Sequence, residues 1–235
     1  MLLKKKQTGN AIKTSAIIAG GGKGKRMQAV GGKQLLQLNG KPIIIRTIEV
    51  FDKAHSIDEI IVVLDKTKIA LFEVLLKNYG IKKVKKIVDG GEERTDSVMS
   101  GLSAVSSESQ IVVIHDGARP LITTTLIDQC VNAAKKFGAV VAAVPVKDTI
   151  KNADKTGNVD KTLPRQTLWH AQTPQAFKKQ IIVDAYKKVG KRAFTDDSSV
   201  VEASGKKVKI IMGDYKNIKI TTPEDLNIAE VLIQC

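Results

Sequence analysis

Ser15-Ala16-Ile17-Ile18-Ala19-Gly20-Gly21-Gly22-Lys23-Gly24-Lys25-Arg26-Met27 is a short apolar run that breaks abruptly into a basic, glycine-rich loop. A run this short, rich in Ala and Ile and closed by glycines, predicts a buried strand. Glycines without a Cβ let the backbone approach a ligand and turn its N–H groups inward, which makes an anion cradle. The loop does not fit a P-loop, because Gly24-Lys25 is followed by Arg26 instead of Ser or Thr. It does not fit the dinucleotide fingerprint either, because Lys25 and Met27 stand where a third glycine is needed. Lys25, Arg26 and then Lys33 add positive charge beyond that of a bare turn, so phosphate binding is the favoured reading and a solvated turn the other.

Outward from this loop the pattern repeats. Further strand-like runs occur at residues 59–64, 84–88, 111–114 and 139–144, each short and bounded by Gly, Asp or Pro. Helical patterns lie between them. One is opened by Pro42 at its first position and runs to about Ala54, and one over 68–79 stops at Gly80. Others cover 96–105 and 125–137, the last closed by Gly138. Strand alternating with helix predicts an α/β fold, Rossmann-like, with a mainly parallel sheet and helices on both faces. Residues 147–166 depart from this pattern, being polar with a turn at 152–158, and read as a hairpin arm leaving the body. The last third predicts helices at about 179–188 and 197–203 and a strand at 207–212. A final helix follows, with Thr222 as N-cap and Pro223 at its first position. The expected organisation is a Lys-rich, disordered leader over 1–14 and one domain over 15–235 carrying the arm.

Composition limits the function classes. The chain has 235 residues, enough to bury a sizeable core, with 43% hydrophobic and 26% charged residues. No apolar run approaches the roughly 18–20 residues of a membrane span, and the leader lacks the apolar segment of a secretory signal. The two cysteines, Cys130 and Cys235, match no metal or disulfide spacing, and a reducing cytoplasm is expected. The net charge of +14 comes mostly from scattered lysines such as Lys82, Lys83, Lys85 and Lys86, without the interleaved aromatics of single-strand binders. A solvated surface explains it better than a nucleic-acid partner.

Ligands of parallel sheets bind beyond the carboxyl ends of the strands. There the third strand is followed by Asp89-Gly90-Gly91-Glu92-Glu93-Arg94-Thr95-Asp96-Ser97, a second glycine turn. Its plain reading is a helix start capped by Thr95 or Asp96. The fourth is followed by His115-Asp116-Gly117-Ala118-Arg119-Pro120. A carboxylate placed as Asp116 is can help hold a divalent cation that bridges phosphates, and Arg119 suits bidentate phosphate binding. A simple turn aspartate is the alternative. His55, His115 and His170 have no common metal spacing and are expected to be structural.

Taken together, these motifs resemble the 2-C-methyl-D-erythritol 4-phosphate cytidylyltransferases of the non-mevalonate isoprenoid pathway. The likeness runs from about Ser15 to Val231. It also rests on Pro145-Val146-Lys147-Asp148-Thr149, on Arg165 followed by Leu168-Trp169 and by Gln172-Thr173-Pro174-Gln175, on Thr195-Asp196-Asp197, and on Asn217-Ile218-Lys219. The resemblance implies CMP transfer from CTP, with Mg2+ or another divalent cation. Arg26 and Lys33 would act at the phosphates, and Arg165 and Lys219 would position the acceptor phosphate. Gly20, Gly21, Gly22 and Gly24 would form the cradle, and Gly91, Glu92 and Ser97 would surround cytosine and ribose. Asp116, Gly117, Arg119, Thr149 and Thr195 would meet the acceptor, with Asp116 also the candidate for the metal. The arm, with Thr149 and Arg165, would reach a second subunit's site in a homodimer. One departure is visible: the family's first loop more often begins Pro-Ala-Ala-Gly, where this chain has Ala19-Gly20-Gly21-Gly22. That form also resembles ribitol 5-phosphate cytidylyltransferases, which remain the alternative. A non-catalytic nucleotide- or RNA-binding module is the alternative of another class.

Overall fold

The computed structural model describes residues 13–21, 35–190 and 192–234. A seven-stranded sheet forms the centre. Its strands are β1 (Lys13–Ala19), β4 (Glu59–Leu64), β5 (Val84–Asp89), β6 (Ser109–Asp116), β7 (Ala139–Pro145), β10 (Trp169–Lys178) and β11 (Lys209–Met212). Across the sheet the order is β11-β7-β10-β6-β1-β4-β5. β1 pairs in parallel with β4 and β6, β4 with β5, and β11 with β7. Only β10 runs against its neighbours, β6 and β7. The mainly parallel α/β expectation is therefore borne out.

The strand sequences explain why both faces are covered. In β1, Ala16 and Ile18 face one core and Ile17 the other; in β4, Ile60, Val62 and Leu64 face the first, and Ile61 and Val63 the second. Side chains alternate with period two, so a run that is apolar at every position must be buried on both sides. The first core receives α1 (Ile43–Lys53), α2 (Ile69–Asn78) and α4 (Thr124–Phe137). The second receives α3 (Arg94–Ala104), α5 (Lys179–Val189) and α6 (Asp197–Ala203). Ile44, Ile48 and Phe51 of α1 recur at helical spacing and are fully buried, each contributing about 2 kcal/mol through removal from water. α7 (Pro223–Leu232) covers a smaller cluster of Leu38, Ile43, Ile220 and Ala229 beside the two-residue strands β2 (Gln37–Leu38) and β3 (Lys41–Pro42). No helix among the described residues is long and apolar enough to cross a membrane.

Several boundaries differ from the sequence reading. β1 begins at Lys13, which takes Lys13 and Thr14 out of the expected leader; the rest of that leader lies outside the described residues. Pro42 ends β3 and precedes α1 instead of opening it. The cap of α3 is Glu93, not Thr95 or Asp96: the Glu93 side chain takes the N3 backbone N–H, and Asp96 at N3 reaches back to the Glu93 N–H. Gly138 does close α4, at φ 89°, where a side chain would be strained. The largest omission is β10, an internal strand that the sequence did not suggest.

The arm is a small hairpin of β8 (Lys151–Ala153) and β9 (Val159–Thr162), exposed along its length. Its root is fastened to the body. Val146 N–H donates to Leu168 O at 3.1 Å, the Tyr215 hydroxyl donates to Pro145 O at 2.7 Å, and the Lys147 ammonium lies 3.6 Å from the Tyr215 ring centre.

Candidate active site

Two groups of residues meet at the carboxyl edge of the sheet. The first joins the two glycine turns. Gly20 N–H donates to Val63 O at 2.8 Å, and Gly90 N–H to Leu64 O at 2.7 Å, so both turns are held to the end of β4. Gly20 is tightly enclosed: a Cβ there would stand 2.7 Å from both Ile44 Cδ1 and Leu64 Cδ2. Ser97 of α3 lies between the turns. Its Oγ accepts from Gly91 N–H at 3.2 Å and is 3.6 Å from where a Gly21 Cβ would be. The structure thus brings Gly20, Gly21, Gly91 and Ser97 together. Glu92 is exposed in the turn. Gly22, Gly24, Arg26 and Lys33 lie outside the described residues.

The second group is a buried carboxylate with its cations. Asp116 ends β6, and its Oδ2 receives Lys219 Nζ at 2.9 Å and Arg119 Nε at 3.3 Å. Burial alone would raise the Asp116 carboxyl, but the charges of Lys219, Arg119 and Arg94 outweigh it and hold the group ionised far below the usual carboxylate range. Arg119 also donates through Nη1 to Asn217 O at 2.8 Å. Its guanidinium is thus engaged within the chain, bracing the segment that ends in Lys219. Gly117 N–H donates to Ala19 O at 2.9 Å, and the Gly117 carbonyl accepts from Thr47 Oγ1 at 3.0 Å. These bonds tie the second group to the first glycine turn.

A polar scaffold that sequence reasoning missed holds this group. Thr173 Oγ1 accepts from Asp116 N–H at 3.0 Å and pairs with His115 Nδ1 at 3.0 Å. The Arg119 carbonyl can only accept, so in the neutral ring Nε2–H donates to it at 3.3 Å and Nδ1 accepts from the Thr173 hydroxyl. Burial lowers the His115 pKa to about 3, so it stays neutral, and the expectation of a structural histidine holds. Gln172 exchanges bonds with the backbone of Asp214 (2.8 and 3.3 Å), and Asn217 Nδ2 donates to Thr173 O at 2.8 Å. Gln175 donates to Asp196 at 2.7 Å and accepts from Ser198 N–H at 2.8 Å, which fixes the start of α6. The only available sequence signal was Gln172-Thr173-Pro174-Gln175 itself, polar residues within an otherwise apolar body.

The remaining expected residues are not drawn into either group by contacts within one chain. Thr195 is exposed immediately before Asp196, the N-cap of α6. Thr149 and Arg165 lie on the arm and line a hollow of about 300 Å3 with Thr162, Leu163, Pro164 and Gln166. Arg165 Nη1 donates to Lys147 O at 2.8 Å. Among the described residues no three His, Cys, Asp or Glu side chains converge in a metal-binding group. Asp116 is a carboxylate at this edge that could contribute to holding a cation, and its Oδ2 is shared by Lys219 and Arg119.

An open α/β sheet, with glycine turns at its carboxyl edge and a caged carboxylate beside them, is the arrangement of a protein that binds a phosphorylated ligand at that edge. The family model for 2-C-methyl-D-erythritol 4-phosphate cytidylyltransferase matches residues 14–235. The protein of that name from Alkaliphilus oremlandii is 48% identical over 228 residues, covering 96% of this chain and 97% of that one. The one from Geobacillus kaustophilus is 47% identical over 220 residues, covering 93% and 96%. Among solved structures, 4-diphosphocytidyl-2C-methyl-D-erythritol synthase from Anaerococcus prevotii superposes with a TM-score of 0.84 at 34% identity, covering 95% of this chain and 99% of that one. The Thermus thermophilus 2-C-methyl-D-erythritol 4-phosphate cytidylyltransferase gives 0.72 at 28% identity, covering 94% and 98%. The chain belongs to the 2-C-methyl-D-erythritol 4-phosphate cytidylyltransferase family.

Proposed function

We infer that this chain transfers CMP from CTP to 2-C-methyl-D-erythritol 4-phosphate, giving 4-diphosphocytidyl-2-C-methyl-D-erythritol and pyrophosphate. The observation that carries this reading is the meeting of the Gly20–Gly21 and Gly90–Gly91 turns with the Asp116–Arg119–Lys219 group in a chain of this family. An acceptor phosphate oxygen attacks the α-phosphorus of CTP; that O–P bond forms as the bond to the β-phosphate oxygen breaks, and the electron pair leaves on pyrophosphate. A phosphate monoester, with a second pKa of about 6, is already largely dianionic at neutral pH and needs no general base. The neutral, buried His115 is consistent with this. Two anions must meet, so positioned cations are the main tool.

In this reading Gly20, Gly21, Gly22 and Gly24 cradle the triphosphate, and Arg26 and Lys33 stabilise the charge that develops there. Gly91, Glu92 and Ser97 surround cytosine and ribose. Asp116 holds Lys219 in place and, with Gly117, Arg119 and Thr195, meets the acceptor; Arg165 and Thr149 join from the arm. Mg2+ would enter on the triphosphate with Asp116 as its nearest carboxylate, and it would supply charge neutralisation there. A pyrophosphate-release assay with CTP and each acceptor tests the assignment. Turnover with methylerythritol phosphate supports it, a preference for ribitol 5-phosphate moves the chain to the alternative substrate, and no release with either leaves only a binding module.

The arm motivates a homodimer with shared sites. It is polar, it exposes Thr149 and Arg165, and Val159 at its outer strand is 59% exposed. A two-fold contact is self-complementary, so two arms would complete two sites. Mixing Arg165→Ala and Lys33→Ala chains would then put both lesions in one site of each heterodimer and none in the other. Activity should return to about a quarter of wild type after statistical exchange. Proven heterodimers without recovery would place Arg165 in its own subunit's site.

A further inference from the structure

Beyond the charge it adds to the field at Asp116, Arg94 lies where the two halves of the site meet. It is the first residue of α3, directly after Glu93 and the Gly90–Gly91 turn. Its Nη2 donates to Asp197 Oδ2 at 2.5 Å. Asp197 is the first residue of α6, fully buried, two positions after Thr195. Its other oxygen accepts from the Tyr186 hydroxyl of α5 at 2.6 Å. One carboxylate is therefore gripped from two helices, and the start of α6 is also tied to β10 through Asp196 and Gln175. Burial works against the Arg94 charge, but Asp197, and beyond it Asp116, more than restore it, so the guanidinium stays charged within reach of the field of the Asp116 carboxylate. A buried ion pair adds little net stability over an apolar packing of equal volume. Its geometry is more informative: a single charge-assisted bond from the planar guanidinium links the turn on the nucleotide side to the segment carrying Thr195.

We propose that Arg94 is a positioning residue for the acceptor, a strut through Asp197 that holds the Thr195–Asp197 segment at a fixed distance from the nucleotide turn. The nucleotide turn has its own braces in Ser97 and the Glu93–Asp96 capping box. The start of α6 is held to β10 by Gln175 and to α5 by Tyr186, and Arg94 adds its tie to α3. Loss of that tie should shift the Thr195 segment relative to the nucleotide turn, and so weaken acceptor binding while sparing CTP. The inference rests on the cytidylyltransferase reading.

The test compares Arg94→Lys, which keeps the charge but not the planar guanidinium or its reach, with Tyr186→Phe, which removes one bond to the same carboxylate and leaves the Arg94 tie. Arg94→Lys should raise the acceptor KM about tenfold, as expected for one misplaced charge-assisted contact, with the CTP KM little changed. Tyr186→Phe should lower Tm and leave both KM values near wild type. Asp197→Asn, which retains an acceptor oxygen, is the second variant should Arg94→Lys not fold, and it should show the same selective rise. A lowered Tm with both KM values unchanged, or a rise confined to CTP, would overturn the proposal. Hydrogen exchange gives a readout independent of turnover: in Arg94→Lys the amides of residues 195–199 should exchange faster while those of 90–97 do not. Uniform change across both segments would contradict the strut. A wild-type chain that forms no product would instead refute the reaction, and the exchange result would still decide the positioning role.

Discussion

Replacing Gly91 by alanine puts a methyl group where α3 already stands. A Cβ there would lie 2.1 Å from Asp96 Cβ and 3.1 Å from Asp96 Cγ. Carbon atoms pack at about 3.5–4.0 Å, so the turn or the helix start must withdraw by about 1.5 Å. No flexible side-chain tip can yield, because the clash is with Asp96 Cβ next to the backbone. Two bonds are in the way: Gly91 N–H to Ser97 Oγ at 3.2 Å, and Glu93 N–H to Asp96 Oδ2 at 3.3 Å in the capping box. Loss of a cap costs about 1 kcal/mol and loss of one neutral hydrogen bond about 1 kcal/mol more. A total of about 2 kcal/mol should lower Tm by about 4–8 °C in a chain of this size. The same displacement moves the turn that is expected to face cytosine. The KM for CTP in a pyrophosphate-release assay should rise about tenfold or more, which corresponds to about 1.4 kcal/mol, with the acceptor KM changing far less. An unchanged Tm and CTP KM would show that the turn tolerates a Cβ at Gly91 and does not face CTP, and a rise in the acceptor KM alone would assign the turn to the other substrate.

Three further outcomes are expected. Lys33→Ala should reduce kcat by about 10²–10³ with a smaller effect on CTP binding, since its charge acts where phosphate charge develops; an unchanged kcat with a raised CTP KM would show uniform binding only. Asp116→Asn should destabilise the protein at pH 7 by about 3 kcal/mol, because Lys219 and Arg119 lose a buried partner. The folded-state pKa of Asp116 is depressed, so its contribution is present above the unfolded value of 3.8 and is lost as pH falls through the folded value. The stability gap between wild type and variant should therefore narrow below about pH 4, and a gap independent of pH would exclude Asp116 as its source. Excess chelator should abolish turnover and added Mg2+ should restore it, while full activity in chelator would remove the metal from the scheme.

The sequence displayed some parts of this molecule clearly and hid others for physical reasons. β1, β4, β6 and β7 are buried on both faces, which demands continuous β-branched or alanine-rich runs that are visible without any partner. The start of α7 and the stop of α4 were legible because Thr222, Pro223 and Gly138 act through local backbone geometry. β10 was not legible. Gln172, Thr173 and Gln175 are buried polar side chains, and Pro174 lacks a backbone donor, which argues against an internal strand. What makes the strand possible is a set of side-chain bonds to His115, Asp214, Asp196 and Ser198, with a break in its register between Ala171 and Gln175. Those partners are distant in sequence. The same holds in the site. Asp116 stood out as a carboxylate at a strand end, but nothing in the sequence joined it to Lys219. Arg94 and Asp197 are 103 residues apart, and only the packing of α3 beside α6 makes them a pair.

Isotope placement shows whether the acceptor phosphate attacks the α-phosphorus of CTP. Methylerythritol 4-phosphate carrying 18O in its phosphate oxygens would be incubated with CTP, Mg2+ and the protein, and the products analysed by mass spectrometry and 31P NMR. The label should remain wholly in 4-diphosphocytidyl-2-C-methyl-D-erythritol, on the methylerythritol-derived phosphorus and the bridging oxygen, and the pyrophosphate should be unlabelled. Label in the pyrophosphate, or pyrophosphate formed without the cytidylylated product, would rule out attack by the acceptor phosphate on the α-phosphorus.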